Sequence, residues 1–321
     1  MTIPVNRPVR RIGRAVARLA PGLLILAACQ SEVARRPLAV AAPAADSATD
    51  LRFFALGRQG YGNDASRRIA AAMDSIAADT PAHAVLYTGD NFYPVGVESV
   101  TDRQWDSKFE TLYAGPSLSG LPFHPVLGNH DRAGNVDALL QYAAENRGSG
   151  RWQMPGRYYA RDFGRVGDRV LLRIVFFDSI ELRRTPADQL AFADSAFNAP
   201  GDPIWRAAVG HFPLRSLTLA EASRSRVMIN FLPRMVGWGV DAFFSSQDHF
   251  LSIMDRPGEP LHVSTNGGGE SQDTEALPGD AATDFVALGP GFVTVDVDSA
   301  QLVVTAYDGN GRPSHSRRRT R

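Results

Sequence analysis

A single cysteine, Cys29, stands in a chain of 321 residues. No intrachain disulfide can form, so the fold cannot depend on one even in an oxidising compartment. Long apolar runs are scarce near the N-terminus: Leu23 to Ala28 is too short to span a bilayer. No internal repeat is visible, which argues against a solenoid or an array. Acidic residues are missing from residues 1–28, which carry Arg7, Arg10, Arg11, Arg14 and Arg18. Removing those five arginines from the 34 basic residues leaves 29 against 34 acidic ones, a net charge of −5. That balance argues against a general nucleic-acid binder.

What is present at the N-terminus is a basic stretch, a short apolar run and then Leu-Ala-Ala-Cys at 26–29. This order resembles the signal peptide and lipobox of bacterial lipoproteins, in which the cysteine becomes the acylated first residue. The alternative is an amphipathic N-terminal helix with a chance Ala-Ala-Cys. Gln30 follows the cysteine. In the lipoprotein pattern an aspartate there favours retention in the inner membrane. The expectation is therefore a lipid anchor on Cys29 in the bacterial cell envelope, at the outer membrane and periplasm rather than the inner membrane. Arg10-Arg11 hints at twin-arginine export, with Sec export equally open. Residues 1–28 are thus expected to be a signal peptide. Residues 29–49, rich in Ala and Pro without periodicity, read as a flexible tether. Residues 50–310 read as the folded domain. Residues 311–321, ending in Ser-Arg-Arg-Arg-Thr-Arg, read as a frayed, solvated basic tail.

From Leu51 onward the chain alternates between strand and helix patterns. LRFFALG, AVLYTG, FHPVLG, WRAAVGH and VDAFFSSQ read as short buried strands. ASRRIAAAMDSIAA, TDRQWDSKFETLY, NVDALLQYAAEN and TPADQLAFADSAFN read as helices, the last with Thr185 as N-cap and Pro186 at the first helical position. RYYARDFGRVGDRVLLRIVFFDS and GFVTVDVDSAQLVVTAYD read as β-rich pairs around turns. This order implies an α/β core. Ligands bind beyond the carboxyl ends of strands in such sheets.

Five strand ends carry polar clusters: GRQG at 57–60, GDNFY at 89–93, GNHD at 128–131, GHFP at 210–213 and SQDH at 246–249. Singly, each could be a turn or a structural histidine. Together they supply oxygen and nitrogen donors suited to divalent or trivalent metals.

The chain from about Leu51 to Asp308 resembles the calcineurin-like metallophosphoesterases, and more narrowly the purple acid phosphatases of the tartrate-resistant type. YTGDNFYPVGV, VLGNHDRAGN, QLAFADSAFN leading into VGHFP, and HVSTNGGG carry the resemblance. It implies a four-layer α/β/β/α sandwich, two mixed sheets flanked by helices. It also implies phosphoric monoester hydrolysis by two metal ions, iron paired with Fe, Zn or Mn. Carried over by position, Asp90 would bridge the ions. Tyr93 and His249 would bind the ferric ion, and Asn129 and His211 the second ion. His130 would protonate the leaving group or steady the phosphate, with Asp131 either orienting it or serving the turn. Asn91 and Arg132 would contact substrate, Arg132 either clamping phosphate or lying solvated. The substrate would be a phosphorylated small molecule.

Two positions depart from the pattern. Arg58 stands where an aspartate ligand of the ferric ion belongs, and Gln247 where a histidine ligand of the second ion belongs. Arg58 could swing outward or take the vacant ferric position as a guanidinium substitute, and Asp64 on the same loop could compensate as a ligand. The expectation is a hydrolase with an altered centre holding two ions, one, or none. The alternative is a degenerate relative that binds an anion or a partner without hydrolysis.

Overall fold

The alternating pattern of the sequence folds into two β-sheets with helices on their outer faces. The structure is a computed structural model, and it describes residues 48–217, 228–268 and 283–321. The expected signal peptide, Cys29 and nearly all of the 29–49 tether lie outside the described residues.

In chain order the strands are β1 Leu51–Leu56, β2 Ala84–Tyr87, β3 Phe123–Pro125, β4 Tyr159–Val166, β5 Arg169–Phe176, β6 Trp205–Val209 and β7 Ala242–Ser245. They continue as β8 Leu251–Met254, β9 Leu261–Ser264, β10 Thr283–Ala287, β11 Gly291–Val297, β12 Gln301–Asp308 and β13 Pro313–Thr320. One sheet has the order β13-β12-β11-β1-β2-β3, the other β10-β8-β9-β7-β6-β5-β4. Both are mixed. β1, β2 and β3 run parallel, as do β5, β6, β7 and β9, while the remaining neighbours are antiparallel. The four-layer α/β/β/α expectation is met.

The two-residue period of β5 shows how the layers are built. Leu172, Ile174 and Phe176 enter the large apolar core shared with Phe53, Val295 and Phe244 of neighbouring strands. Val175 and Phe177 point the other way, into a second core with Phe192, Ala193 and Phe197 of helix α6. Each such side chain contributes roughly 1.5–3 kcal/mol by leaving water. The helices are α1 Asp64–Asp79, α2 Arg103–Trp105, α3 Asn129–Ala133, α4 Val136–Ala144, α5 Ser179–Leu182, α6 Pro186–Phe197 and α7 Leu232–Gly237. α1 starts at Asn63, whose side chain accepts from the Ser66 N–H at 2.9 Å, and it buries Ile69, Ala70, Met73 and Ala77. α6 begins with Pro186 as its sequence predicts, but the Thr185 hydroxyl donates to Glu181 at 2.6 Å instead of capping the helix.

The C-terminus corrects an expectation. Residues 311–321 are not a frayed tail: most of them form β13, the edge strand paired antiparallel with β12 from Gln301–Thr320 to Tyr307–Pro313. Main-chain pairing and charge hold it. Arg317 meets Asp255 at 2.6 Å, Arg319 also pairs with Asp255, and the Arg321 guanidinium lies 4.0 Å over the Trp205 ring. Basic, polar alternation on an edge strand also discourages pairing with other chains.

Candidate metal and phosphate site

Parallel strands in register end side by side, so the loops after them share one rim. Leu56 is level with Tyr87 and Tyr87 with Pro125 in one sheet; Val209 is level with Phe244 and Phe244 with Val263 in the other. Thr88 joins the two rims. Its hydroxyl pairs with that of Thr265 at 2.9 Å, and its carbonyl accepts from Ser246 Oγ at 2.7 Å and from His211 Nδ1 at 3.0 Å. The clusters expected from sequence therefore meet where the sheets are stitched together. The approach is close. A Cβ on Gly128 would fall 2.1 Å from Asp90 Oδ1, and one on Gly89, at φ +97°, would fall 2.6 Å from His211 Nδ1.

Asp90 stands at the centre, buried and at φ +55°. Its Oδ2 accepts from the Tyr93 hydroxyl at 2.5 Å and lies 3.4 Å from His211 Nε2, and its Oδ1 accepts from the His130 N–H at 3.0 Å. Asn129 Oδ1 reaches the same His211 Nε2 at 3.2 Å. Burial alone would raise the Asp90 carboxyl, but the charge and hydrogen bonds around it, His211 foremost, hold it well below the usual carboxylate range. Burial would lower His211, but the Asp90 carboxylate more than offsets this and raises it. Three of the expected donors, from Asp90, Asn129 and His211, thus face one another. His130 sits at the half-buried edge of the site with Nδ1 2.6 Å from the Pro94 carbonyl. Because a carbonyl only accepts, Nδ1 carries the proton and Nε2 is the nitrogen left for other partners.

The ferric half is different. Arg58 does not swing outward. It is 1 % exposed, with Nε 3.1 Å from the Tyr93 hydroxyl oxygen and Nη1 3.1 Å from Asn266 Oδ1. Burial, then the Asp90 charge, push the Tyr93 phenol well above its ordinary range, opposed only by Arg58. Its ring stacks on Tyr61 at 4.0 Å and meets His130 at 4.2 Å. His249, at φ +68°, has a buried Nδ1 without a hydrogen-bond partner; burial and then Arg58 lower it to about 3. Gln247 is buried, its N–H donating to the His211 carbonyl at 3.1 Å.

The two halves answer differently to the metals that the resemblance implies. Asp90, Asn129 and His211 offer carboxylate, amide and imidazole donors, with His211 Nε2 3.2 Å from Asn129 Oδ1 and 3.4 Å from Asp90 Oδ2, a set that suits one divalent ion. The half around Tyr93 and His249 does not suit a ferric ion, because a guanidinium holds the phenol oxygen from one side. Even at an effective dielectric of 20, like charges ~4 Å apart repel by about 4 kcal/mol per unit pair. Among the described residues, no three His, Cys, Asp or Glu side chains converge on one ion.

Other expectations change with the structure. Arg132 neither clamps toward phosphate nor lies in solvent: it pairs with Asp178 and, at 3.2 Å, with Glu181. Asn91 is buried and spends its amide on the Val126 carbonyl and on Asp131, both at 2.9 Å, so it positions the loop and does not face substrate. Asp131 takes the turn role, accepting from the N–H groups of Asn91, Phe92 and Gly128. Burial, then Asp90, push its carboxyl up to about 7 against those donors. Asp64 is no ligand; it pairs with Arg67 in the exposed first turn of α1. Sequence reasoning did not single out Thr88, Ser246 or Asn266. Asn266 lies within the HVSTNGGG match, and that was the available signal. Beside the His130 partner Pro94 opens a cavity of about 600 Å³, lined also by Glu98, Asp102, Gln104 and Lys108.

Comparison with known proteins agrees with this layout. The family model for calcineurin-like phosphoesterases matches residues 49–245. The chain is 28 % identical over 306 residues to tartrate-resistant acid phosphatase type 5 of Oryctolagus cuniculus, covering 84 % of this chain and 91 % of that one. It is 26 % identical over 291 residues to purple acid phosphatase 4 of Arabidopsis thaliana, covering 81 % and 79 %. Among solved structures, GAP50, the anchor in the inner membrane complex of Plasmodium, superposes with TM-score 0.71 at 20 % identity over 85 % and 89 % of the two chains. A purple acid phosphatase from yellow lupin seeds superposes with TM-score 0.67 at 14 % identity over 87 % and 55 %. A model match over residues 49–245, more than half of the chain, makes this protein a member of the calcineurin-like phosphoesterase family.

Proposed function

We propose that the chain is a phosphoric monoester hydrolase of the purple acid phosphatase type, with an altered metal centre, held outside the cytoplasm by a lipid on Cys29. The observation that carries this reading is the meeting of Asp90, Asn129 and His211 next to a half-buried His130. Those three residues would hold one divalent ion, Fe, Zn or Mn, and such an ion when bound supplies Lewis acidity and charge neutralisation toward a phosphate ester. The protein's own groups do the rest. His130, its Nδ1 proton held by the Pro94 carbonyl, presents Nε2, which in the doubly protonated ring would pass its proton to the leaving alcohol and return to the Nδ1–H tautomer. Asp131 and Asn91 fix the two loops that carry Asp90 and His130. The polar cavity beside Pro94 suits a small hydroxylated alcohol, in keeping with a phosphorylated small molecule as substrate.

The test is turnover of a generic phosphomonoester by the purified protein across added Fe, Zn and Mn, with Asp90→Ala as control. Hydrolysis that disappears in Asp90→Ala supports the reading; no turnover with any metal overturns it. Cys29→Ala should move the protein from the membrane fraction to the soluble fraction of the envelope. Unchanged membrane association would refute the anchor.

One observation favours a second reading, a phosphatase-like protein that binds an anion or partner without hydrolysis: Arg58 is buried against Tyr93. Metal-free protein that binds inorganic phosphate and never turns over would select it.

A further inference from the structure

We propose that the Arg58 guanidinium is the resident cation of the first half of the centre, so that this protein takes at most one metal ion. The proposal deepens the phosphoesterase reading by naming what fills its altered half. It depends on ion number, whereas that reading depends on turnover.

The placement of Arg58 is built from both sheets. Its N–H donates to the Gly89 carbonyl at 2.9 Å, next to Asp90. Its Nε meets Tyr93 from the β2 loop, and its Nη1 meets Asn266 from the loop after β9. The backbone at Arg58 sits at φ +56°, in the left-handed region that side chains other than glycine seldom adopt. The loop around it leaves no slack. A Cβ on Gly57 would lie 2.3 Å from Thr88 Oγ1, one on Gly60 2.4 Å from the Phe92 main chain, and one on Gly267 2.2 Å from the Gly57 carbonyl. The backbone that carries Arg58 is therefore fixed by its neighbours, and turning the side chain to solvent would break its bonds to Tyr93 and Asn266.

Hydrogen-bond accounting at the Tyr93 oxygen leads to the same conclusion. The phenol has one proton, which it donates to Asp90, and it accepts from Arg58. A phenolate bound to a metal would need that proton gone and would set the ion against the Arg58 charge. A guanidinium cannot be deprotonated to make room. The positive charge that the family supplies with an ion is here supplied by the chain.

Ion counting by elemental analysis, after saturating the full chain with Zn, Mn or Fe and removing excess, tests this. The wild type should hold one ion per chain and show no visible phenolate-to-iron absorption. Arg58→Asp should hold two and, with iron, gain that band, which Tyr93→Phe in the same background should abolish. Two ions and a visible band in the wild type would overturn the proposal. So would a folded Arg58→Asp that still binds one. If Arg58→Asp does not fold, Arg58→Gly takes its place, since glycine adopts φ +56° readily. A count that rises to two supports the proposal, and a count that stays at one overturns it.

Discussion

Asp131→Asn changes one atom in the loop beneath the candidate site and should have a large effect. Fully buried, the Asp131 carboxyl accepts four N–H groups when ionised, so the comparison is made above pH 7. Oδ1 takes the N–H groups of Asn91 at 2.9 Å and Phe92 at 3.2 Å, while Oδ2 takes Asn91 Nδ2 at 2.9 Å and Gly128 N at 2.8 Å. Asparagine has one oxygen. If the oxygen stands at the Oδ1 position, Asn91 Nδ2 and Gly128 N lose their acceptor; if it stands at the Oδ2 position, the Asn91 N–H still reaches it at 3.2 Å and the Phe92 N–H alone is left facing an NH2 group. A buried donor left unsatisfied costs roughly 1–3 kcal/mol, so the better orientation costs about 2 kcal/mol. For a domain of this size 1 kcal/mol shifts the midpoint by roughly 2–4 °C, which gives a fall of about 6 °C. The assay is thermal unfolding followed by circular dichroism. The control is Asp64→Asn, where the side chain is 82 % exposed and the change should be negligible. Turnover should fall as well, because both loops carrying Asp90 and His130 hang on this carboxylate. A midpoint within 2 °C of wild type would refute the account and mean that water or a shifted backbone satisfies the donors.

Three further outcomes follow from other sites. Arg173, 1 % exposed, holds Asp162 at 2.6 Å and the carbonyls of Ala196, Ala199 and Pro200, so Arg173→Met should cost roughly 3–5 kcal/mol by denaturant melt, and adding Asp162→Leu should recover part of it. His124 is buried, and burial followed by Arg161 lowers it to about 3. Its unfolded form binds the proton more readily, so stability is full above about pH 6.5 and is lost as pH falls toward 3, by on the order of 5 kcal/mol. His124→Phe should flatten that part of the stability–pH curve, and an unchanged slope would count against it. Gly60→Ala puts a Cβ 2.4 Å from the Phe92 main chain and should lower both melting temperature and activity, whereas Gly167→Ala, with open space around it but φ +60°, should cost only about 1 kcal/mol.

Much of the fold is legible in the sequence because one physical pattern repeats without interruption. Apolar runs such as LRFFAL and AVLY have no polar face to spare, and alternation in GFVTVDV and QLVVTAYD leaves little choice but a hairpin, as β11 and β12 form. β13 escapes this reasoning. Its residues PSHSRRRT offer no apolar face, and its stability comes from main-chain pairing and from Asp255, some 60 residues earlier. The site was legible as a set of strand ends. Which way each side chain turns was not. Arg132 is diverted by Asp178, 46 residues downstream, and Arg58 is captured by Asn266, 208 residues away. Local sequence cannot report partners that only the closed fold provides. Asn91 is the same case at shorter range, since nothing in GDNFY distinguishes an amide aimed at substrate from one aimed at Val126.

The Thr88 junction has a consequence for how this lineage could change. Thr265, Ser246 and His211 all reach Thr88, so the two halves of the protein are riveted at the rim by hydroxyls, a carbonyl and an imidazole of the chain itself. Nothing in that rivet requires an ion. Where metal is the only clasp between two halves, each lost ligand loosens the whole scaffold and selection removes it. Here the clasp and the ligands are separate sets of atoms, His211 excepted. His211, which serves both, is the residue of the centre that this architecture can least exchange.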